Sequence, residues 1–483
     1  MSSQATILVE ESASNTNIDD LQNLFRRQKA AHASCPFPEK ATRLQHLDTL
    51  ISALKSNEQA LIAAMNDDFG NRSEIESLFT DVTNAISATR HAKQCLRRWM
   101  KPTRVATPAH LLPAKAMIKP QPLGCVGIIS PWNFPVILAI EPIAAALAAG
   151  NRVILKPSEI TPKTSTALQQ MLSDAFDDKV VGVVTGGADV GTVFSSIPFD
   201  HLFFTGSTAI GRKVAVAAAQ NLTPVTLELG GKSPVIIDET ADIKSAARSI
   251  AFGKMLNAGQ ACISPDYVLA PAPRVQELGE AIAAAARALF PSIDQTNDYT
   301  SIVSDEHFDR LTNLVAQARD AKVPIIEVGE PAALGKLRKL PLTLVLDPPK
   351  TLGIMQEEIF GPILPIIGVQ SLDEAIKYID AGERPLALYW FGDDQSKRDR
   401  VLDQTISGGV AINDTMIHFA HPGLPFGGIG ASGIGRYHGY AGFETFSHMK
   451  PILMQSRFAQ TSLLQPPYTD RTKTIIRLLQ RFI

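Results

Sequence analysis

Cys262 closes the string Asn257-Ala258-Gly259-Gln260-Ala261-Cys262, a glycine-punctuated loop that follows a long helical pattern. A thiol placed there is suited to attack carbon. It attacks best as the thiolate, and backbone N–H groups at the end of a helix are expected to lower its pKa while the loop leaves it reachable. The alternative is a buried structural cysteine, since free cysteines are among the most buried residues. The rest of the chain has to decide between the two.

Composition narrows the field. At 483 residues the chain is too long for one ordinary core, so two or three domains are expected. Hydrophobic residues make up 45% and charged residues 19%, the balance of a soluble globular enzyme. Lys+Arg 46 against Asp+Glu 48 leaves a net charge of -2, too little field to draw nucleic acid or an anionic membrane. Cys35, Cys95, Cys125 and Cys262 are scattered and show no CxxC spacing, which points to a reducing, cytoplasmic setting. The opening MSSQATILVEES lacks an export-signal pattern. The apolar run Val136 to Ala149 is too short for a membrane span and is broken by Glu141 and Pro142. Between Thr469 and Ile483, Ile475, Ile476, Leu478, Leu479 and Phe482 alternate with basic residues; this reads as an amphipathic helix that packs on the body or on a partner subunit.

Hydrophobic period sorts the elements that must position the thiol. Up to Met100 it is helical, as at Leu44, Leu47, Leu50, Ile51 and Leu54, with Pro102 as a stop. Residues 103 to 122 read as a hairpin-like excursion that could pair with the glycine- and aromatic-rich segment His421 to Lys450. From Gly124 strand-like runs (GCVGIIS, RVILKPS, KVVGVVTG, HLFFTG) alternate with helices, and a second alternating series starts near Ser233. Two doubly wound α/β domains follow.

Such sheets bind nucleotides at strand ends. Gly428, Gly430 and Gly433 spell GxGxxG, but no βαβ unit surrounds them and the motif alone is weak. Better phosphate-facing turns are Gly187 with Gly191, and Thr205-Gly206-Ser207 with Gly211, where a strand gives way to a helix. Each is also an ordinary βα turn when taken singly.

Six strings stand in one order: Pro131-Trp132-Asn133-Phe134-Pro135, Lys156-Pro157-Ser158-Glu159, Phe204-Thr205-Gly206-Ser207, Leu227-Glu228-Leu229-Gly230-Gly231-Lys232, Gly259-Gln260-Ala261-Cys262 and Glu357-Glu358-Ile359-Phe360-Gly361-Pro362. Together they resemble the NAD(P)-dependent aldehyde dehydrogenases over nearly the whole chain. NAGQACISPDYVL, IMQEEIFGPILPII and the tail HPGLPFGGIGASGIGRYHGYAGFETFSH resemble the class 3 branch, and LLPAKAMIKPQPLGCVGIISPWNFP with the helical N-terminal region looks most like its coniferyl aldehyde dehydrogenases. The resemblance implies an NAD-binding domain (1–102, 121–228 and 411–435), a catalytic domain (229–410), a small β oligomerisation arm (103–120 and 436–460) and a C-terminal tail (461–483).

It also implies roles. Cys262 becomes the nucleophile, Asn133 and the Cys262 N–H hold the oxyanion, and Glu228 is the base for the hydrolytic water, a carboxylate whose pKa burial raises towards neutrality. Lys156 and Glu159 fall to the adenosine ribose, Gly206 and Ser207 to the pyrophosphate helix, and Glu358 with Phe360 to the nicotinamide. Trp132, Gly187 and Gly211 complete the cofactor set. The cofactor is NAD, since Glu159 can accept from a ribose 2′-OH and repels a 2′-phosphate, with NADP also used by relatives that carry the same string. No metal is implied: His418 and His421 form HxxH without further ligands. The expected substrate is a hydrophobic aldehyde, coniferaldehyde first and medium-chain aliphatic aldehydes second. Its pocket lies near Trp132, the helix of Thr80 to Met100, Ile263 and Phe419, in a chain that forms at least a homodimer. A CoA-acylating dehydrogenase and a cysteine hydrolase are the rival readings; Glu228 argues against the first, and the second leaves the nucleotide motifs idle.

Overall fold

The computed structural model describes residues 17–329, 337–459 and 465–480. The first sixteen residues, the end of the expected arm at residue 460, the start of the expected tail and Phe482 lie outside the described residues.

Three sheets organise the chain. The strands β1 (Thr103–Val105) and β2 (Lys115–Pro122) form an antiparallel hairpin. Five parallel strands follow: β3 (Cys125–Ile129), β4 (Arg152–Lys156), β5 (Val181–Val183), β6 (His201–Thr205) and β7 (Val225–Glu228). A second sheet holds β8 (Pro234–Ile237), β9 (Tyr267–Pro271), β10 (Ile325–Glu327), β11 (Thr343–Leu346), β12 (Ile363–Val369), β13 (Ala387–Phe391) and β14 (Gly409–Ile412) in the order β10-β11-β12-β9-β8-β13-β14. Only β10 runs antiparallel there. Then β15 (Gly433–Ile434) returns to the first sheet beside β7, and β16 (Ser447–Met454) pairs with β2 along its whole length.

Both large sheets are doubly wound, as the alternating pattern required. Parallel strands covered on both faces must be apolar throughout, and Val126, Ile128, Val153, Leu155, Leu202 and Phe203 are fully buried. Helix Ile137–Ala149 crosses from β3 to β4 and is buried at every residue, so the long apolar run is a core helix. No described helix is long and apolar enough to cross a membrane. The excursion pairs with the chain's late segment, as expected, but the partner strand runs on to Met454. The period reading missed β7, β10 and β11.

Strand pairing also departs from the expected boundaries. β14 runs across the 410/411 boundary and belongs to the second sheet, because its partner is β13. β2 continues past residue 120 to Pro122. The amphipathic tail forms helix Asp470–Leu479, closed by a Thr469–Thr472 capping box. Ile476 and Leu478 are exposed on this helix, while Ile475 is half-buried.

The GxGxxG string is a turn. Gly430 has φ +69°, the backbone folds back through Gly430 and Gly433, and β15 is thereby laid against the end of β7 at Glu228. A side chain at Gly428 would collide with the Ser432 backbone. Gly428→Ala should therefore lower stability by about 1–3 kcal/mol and shift the thermal midpoint down in calorimetry; an unchanged midpoint would mean the turn has room that the backbone contact denies.

Candidate active site

Helix Ile243–Met255 ends and the chain tightens into the turn Leu256–Gly259, with Asn257 and Ala258 both in the left-handed region at φ 50° and 51°. For non-glycine residues that conformation costs of order 1 kcal/mol each and must be held by the surroundings. Gly259 follows at φ +73°, and a Cβ there would meet the Gly361 carbonyl oxygen at 2.5 Å. Close approach of the two loops is why glycine stands between Ala258 and Gln260. The Gln260 side chain then pins the turn, donating to the carbonyls of Asn257 (3.0 Å) and Ser301 (3.1 Å) and accepting from the Val303 N–H (3.0 Å).

Asn133, in the loop after β3, is drawn onto this turn. Its Nδ2 donates to the Gln260 carbonyl at 3.2 Å, and its own carbonyl accepts from Asn257 Nδ2 at 2.9 Å. An amide nitrogen carries two N–H groups, so the Gln260 carbonyl occupies one and leaves the other for a further acceptor. The Asn133 carbonyl also accepts from Arg72 Nη1 at 2.9 Å, and Arg72 Nη2 pairs with Asp81 Oδ2 at 2.8 Å, both side chains fully buried. Asp81 Oδ1 in turn accepts from the N–H groups of Val136 and Ile137 at the start of helix Ile137–Ala149. One carboxylate thus fixes a helix N-terminus and, through Arg72, the backbone of Asn133.

The electrostatics correct one expectation. Cys262 is half-buried, and its thiol is pushed up to about 12 by desolvation and by the Glu358 and Glu228 carboxylates, against the pull of the Cys262 and Ile263 N–H groups. The expected low-pKa thiolate fails because burial and the Glu358 and Glu228 carboxylates outweigh the pull of the loop's N–H groups. Glu228, at the end of β7, is 3% exposed with neither carboxylate oxygen hydrogen-bonded, and desolvation raises it well above the ordinary range rather than just towards neutrality. Glu358 is raised to about 8 by burial and Asp266, partly offset by the Gly231 N–H, Lys232 and Lys254. Lys254, buried nearby, is lowered to about 8. Lys232 holds the Glu358 loop through Asp266 and the carbonyls of Ile354 and Glu357.

The first sheet reverses direction between β3 and β6, where open α/β sheets bind ligands. At those strand ends the hydroxyls of Ser130 and Thr205 are buried without partners among the described residues, and the N–H of Gly206 is tied to the Glu228 carbonyl at 3.0 Å. Ser207 caps helix Thr208–Ala219, with Gly211 buried in its first turns. Gly187 precedes helix Ala188–Ser195, and Gly191 in that helix lies against the Lys156 side chain. Lys156 is 3% exposed and pairs with Glu159 at 2.9 Å. Trp132 meets Phe360 edge-on at 5.3 Å and His307 at 5.2 Å, so the PWNFP and EEIFGP strings converge beside Cys262's loop. Orphan hydroxyls, a capped helix start and a buried lysine fit a dinucleotide.

Comparison with known proteins decides the assignment. The family model described as "Aldehyde dehydrogenase family" matches residues 3–452. The chain belongs to the aldehyde dehydrogenase family. It is 47% identical over 458 residues to a probable coniferyl aldehyde dehydrogenase of Caulobacter vibrioides, covering 93% of this chain and 94% of that one. A coniferyl aldehyde dehydrogenase of a Pseudomonas species is 42% identical, with 95% and 96% covered. Among solved structures, the substrate-bound state of Staphylococcus aureus AldH superposes with a TM-score of 0.90 at 40% identity, over 95% of this chain and 99% of that one. The protein is an NAD(P)-dependent aldehyde dehydrogenase.

Of the residues expected from the sequence, Asn133 is hydrogen-bonded onto the Cys262 loop, Trp132 packs on Phe360, and Lys156 pairs with Glu159. Sequence reasoning missed the residues that hold them in place. Arg72, Asp81, Asp266 and Lys254 stand in none of the six strings, no spacing marks a salt bridge between residues 72 and 81, and nothing about Gln260 in its string marks it as the pin of the turn. Tyr437, which senses Glu141, Glu228 and Cys262 together, sat unremarked inside the glycine-rich tail.

Two outcomes follow for the aldehyde dehydrogenase. Asp81→Asn leaves the Arg72 charge buried without its counterion; it should cost about 3 kcal/mol or more in urea unfolding and lower kcat through a displaced Asn133, whereas wild-type stability would show the pair to be dispensable. Alkylation of Cys262 by iodoacetamide without nucleotide, read by mass of its peptide, should rise about a hundredfold from pH 7 to 9, since below its pKa the thiolate fraction grows tenfold per unit. A plateau near pH 8 would reveal an acidic thiol instead.

Proposed function

We propose that the enzyme oxidises coniferaldehyde or a closely related hydrophobic aldehyde to the acid by covalent catalysis at Cys262. The thiol adds to the carbonyl carbon, its proton leaves to solvent or to Glu228, and the oxyanion is held by Asn133 Nδ2 and the Cys262 N–H. A bound NAD supplies the acceptor for the hydride that the tetrahedral thiohemiacetal expels, leaving a thioester on Cys262. Glu228 takes a proton from water as that water attacks the thioester carbon, and the carbon–sulfur bond breaks to release acid and thiol. Lys156 and Glu159 would hold the adenosine ribose, Gly187, Gly206, Ser207 and Gly211 the phosphates, and Glu358, Phe360 and Trp132 the nicotinamide end. The observation that carries this reading is the Asn133 amide on the Gln260 carbonyl, two residues before the thiol.

Glu159 supports NAD over NADP, because the Lys156–Glu159 pair leaves a half-exposed carboxylate where a 2′-phosphate would need cations. The similarity to coniferyl aldehyde dehydrogenases supports an aromatic substrate. The domain division expected from the sequence is supported by the three sheets, with the second domain extended through β14. A homodimer is supported by the small sheet, whose edge strand β1 is exposed throughout and whose β16 exposes Leu453 and Met454. The free state of Cys35, Cys95, Cys125 and Cys262 is consistent with the cytoplasm.

The test is Glu228→Gln with coniferaldehyde. The neutral amide cannot accept water's proton, so about one NADH per site should appear in a burst and turnover should then stall, with hydroxylamine restoring it. Full steady-state activity would remove Glu228 as the base, and efficient acyl-CoA formation by the wild type would favour the acylating reading.

A further inference from the structure

Cys262 and Ile263 are the two central residues of a β-turn, closed by the Ser264 N–H on the Ala261 carbonyl at 3.0 Å. Ser264 Oγ then donates to the Gly253 carbonyl at 3.1 Å, which ties the turn to the last residues of helix Ile243–Met255. The Ile263 N–H bonds the Cys262 sulfur. The Ile263 carbonyl, at the other end of that residue, accepts from the phenol of Tyr389 at 2.5 Å. The peptide between Ile263 and Ser264 is thus held at both its polar atoms, by Ala261 and by Tyr389.

The second large sheet delivers that phenol. Side chains alternate along β13 (Ala387–Phe391), so Leu388 and Trp390 pack on one face with Leu269 and Val401, while Tyr389 emerges on the opposite face, where Ile263 lies. Tyr389 is fully buried, and a buried phenol is tolerated only where its hydroxyl has a partner. This one has two, because the same oxygen accepts from the N–H of Met416. Met416 stands in the left-handed region at φ 61° and leads into the short helical turn Ile417–Ala420 that carries Phe419. Burial raises the phenol far above its ordinary range, with smaller contributions from Cys262 and Asp414, so its O–H is present to donate at every working pH.

We infer that Tyr389 is a positioning residue for the nucleophile: its hydroxyl clamps the peptide after Cys262 and so keeps the Ile263 N–H directed at the sulfur. The inference rests on the covalent reading above and adds the side chain that orders the surroundings of the attacking atom. Deleting the hydroxyl leaves a buried carbonyl without its donor, and the turn relaxes to recover one. The N–H then leaves the sulfur. A hydrogen bond to a charged atom is stronger than one to a neutral atom, so the loss falls on the thiolate more than on the thiol.

The experiment labels the full-length protein with iodoacetamide without nucleotide, from pH 7 to 9, and reads the mass of the Cys262 peptide in the wild type, Tyr389→Phe and Tyr299→Phe. Tyr389→Phe removes one oxygen and keeps the ring. Its labelling should be slower by about three- to tenfold at each pH, the smaller thiolate fraction being partly offset by the greater nucleophilicity of a more basic thiolate. Tyr299→Phe deletes the same kind of bond elsewhere, from a fully buried phenol to the Leu340 carbonyl at 2.7 Å, and should label as the wild type does. Labelling of Tyr389→Phe at or above about half the wild-type rate overturns the inference, as does an equal slowing in Tyr299→Phe, which would make the effect a general loosening of the core. Wild-type enzyme fully labelled at Cys262 that kept its rate of NADH formation with coniferaldehyde would instead remove the covalent reading, whereas inactivation by the label together with unchanged labelling in Tyr389→Phe would remove only the clamp.

Discussion

The buried Arg72–Asp81 pair is the constraint on which the site's geometry depends. Asp81 belongs to the N-terminal helical layer, Asn133 to the loop after the first sheet's β3, and Asn257 with Gln260 to the turn that precedes Cys262. Hydrogen bonds between these three pieces make one rigid unit from chain segments that share no local contact. Burying two charges is costly, and the cost is met only because every remaining hydrogen-bonding position of the carboxylate has a backbone or hydroxyl partner. Stability is a poor reason to keep such a pair in a core. Fixing the backbone of Asn133 against the turn before Cys262 is a better one.

A second constraint is dryness. Desolvation raises Cys262, Glu228 and Glu358 alike, favouring their neutral forms, and it lowers Lys254 beside them. Three acids in so small a space cannot all ionise, since each new negative charge raises the others. A positive charge brought into the crevice would reverse the balance for all of them together.

Packing explains why the strings of the sequence occur together. Gly259 exists where it does because Gly361 passes within contact distance, and Trp132 leans on Phe360. Three motifs, the outer two more than two hundred residues apart, are thus brought into contact. The glycines at 428, 430 and 433 serve the same end from the other side, turning the chain so that β15 seals the strand that carries Glu228.

The amino-acid order by itself determined the doubly wound sheets, because parallel strands covered on both faces leave unbroken apolar runs between helical periods, as at Cys125–Ile129 and Ala387–Phe391. It also marked the chemistry-bearing residues, since a cysteine, an asparagine and a carboxylate in recognisable strings need only local order to be seen. Strands β7 and β11 were missed. The protonation of Cys262 was decided by tertiary structure alone: its local sequence promised helix-end N–H groups, but burial and two distant carboxylates outweigh them. The same holds for Arg72, Asp81, Glu141 and His438, whose partners lie 9 and 297 residues apart and whose energies arise from a low dielectric that exists only once the sheets and helices have closed around them.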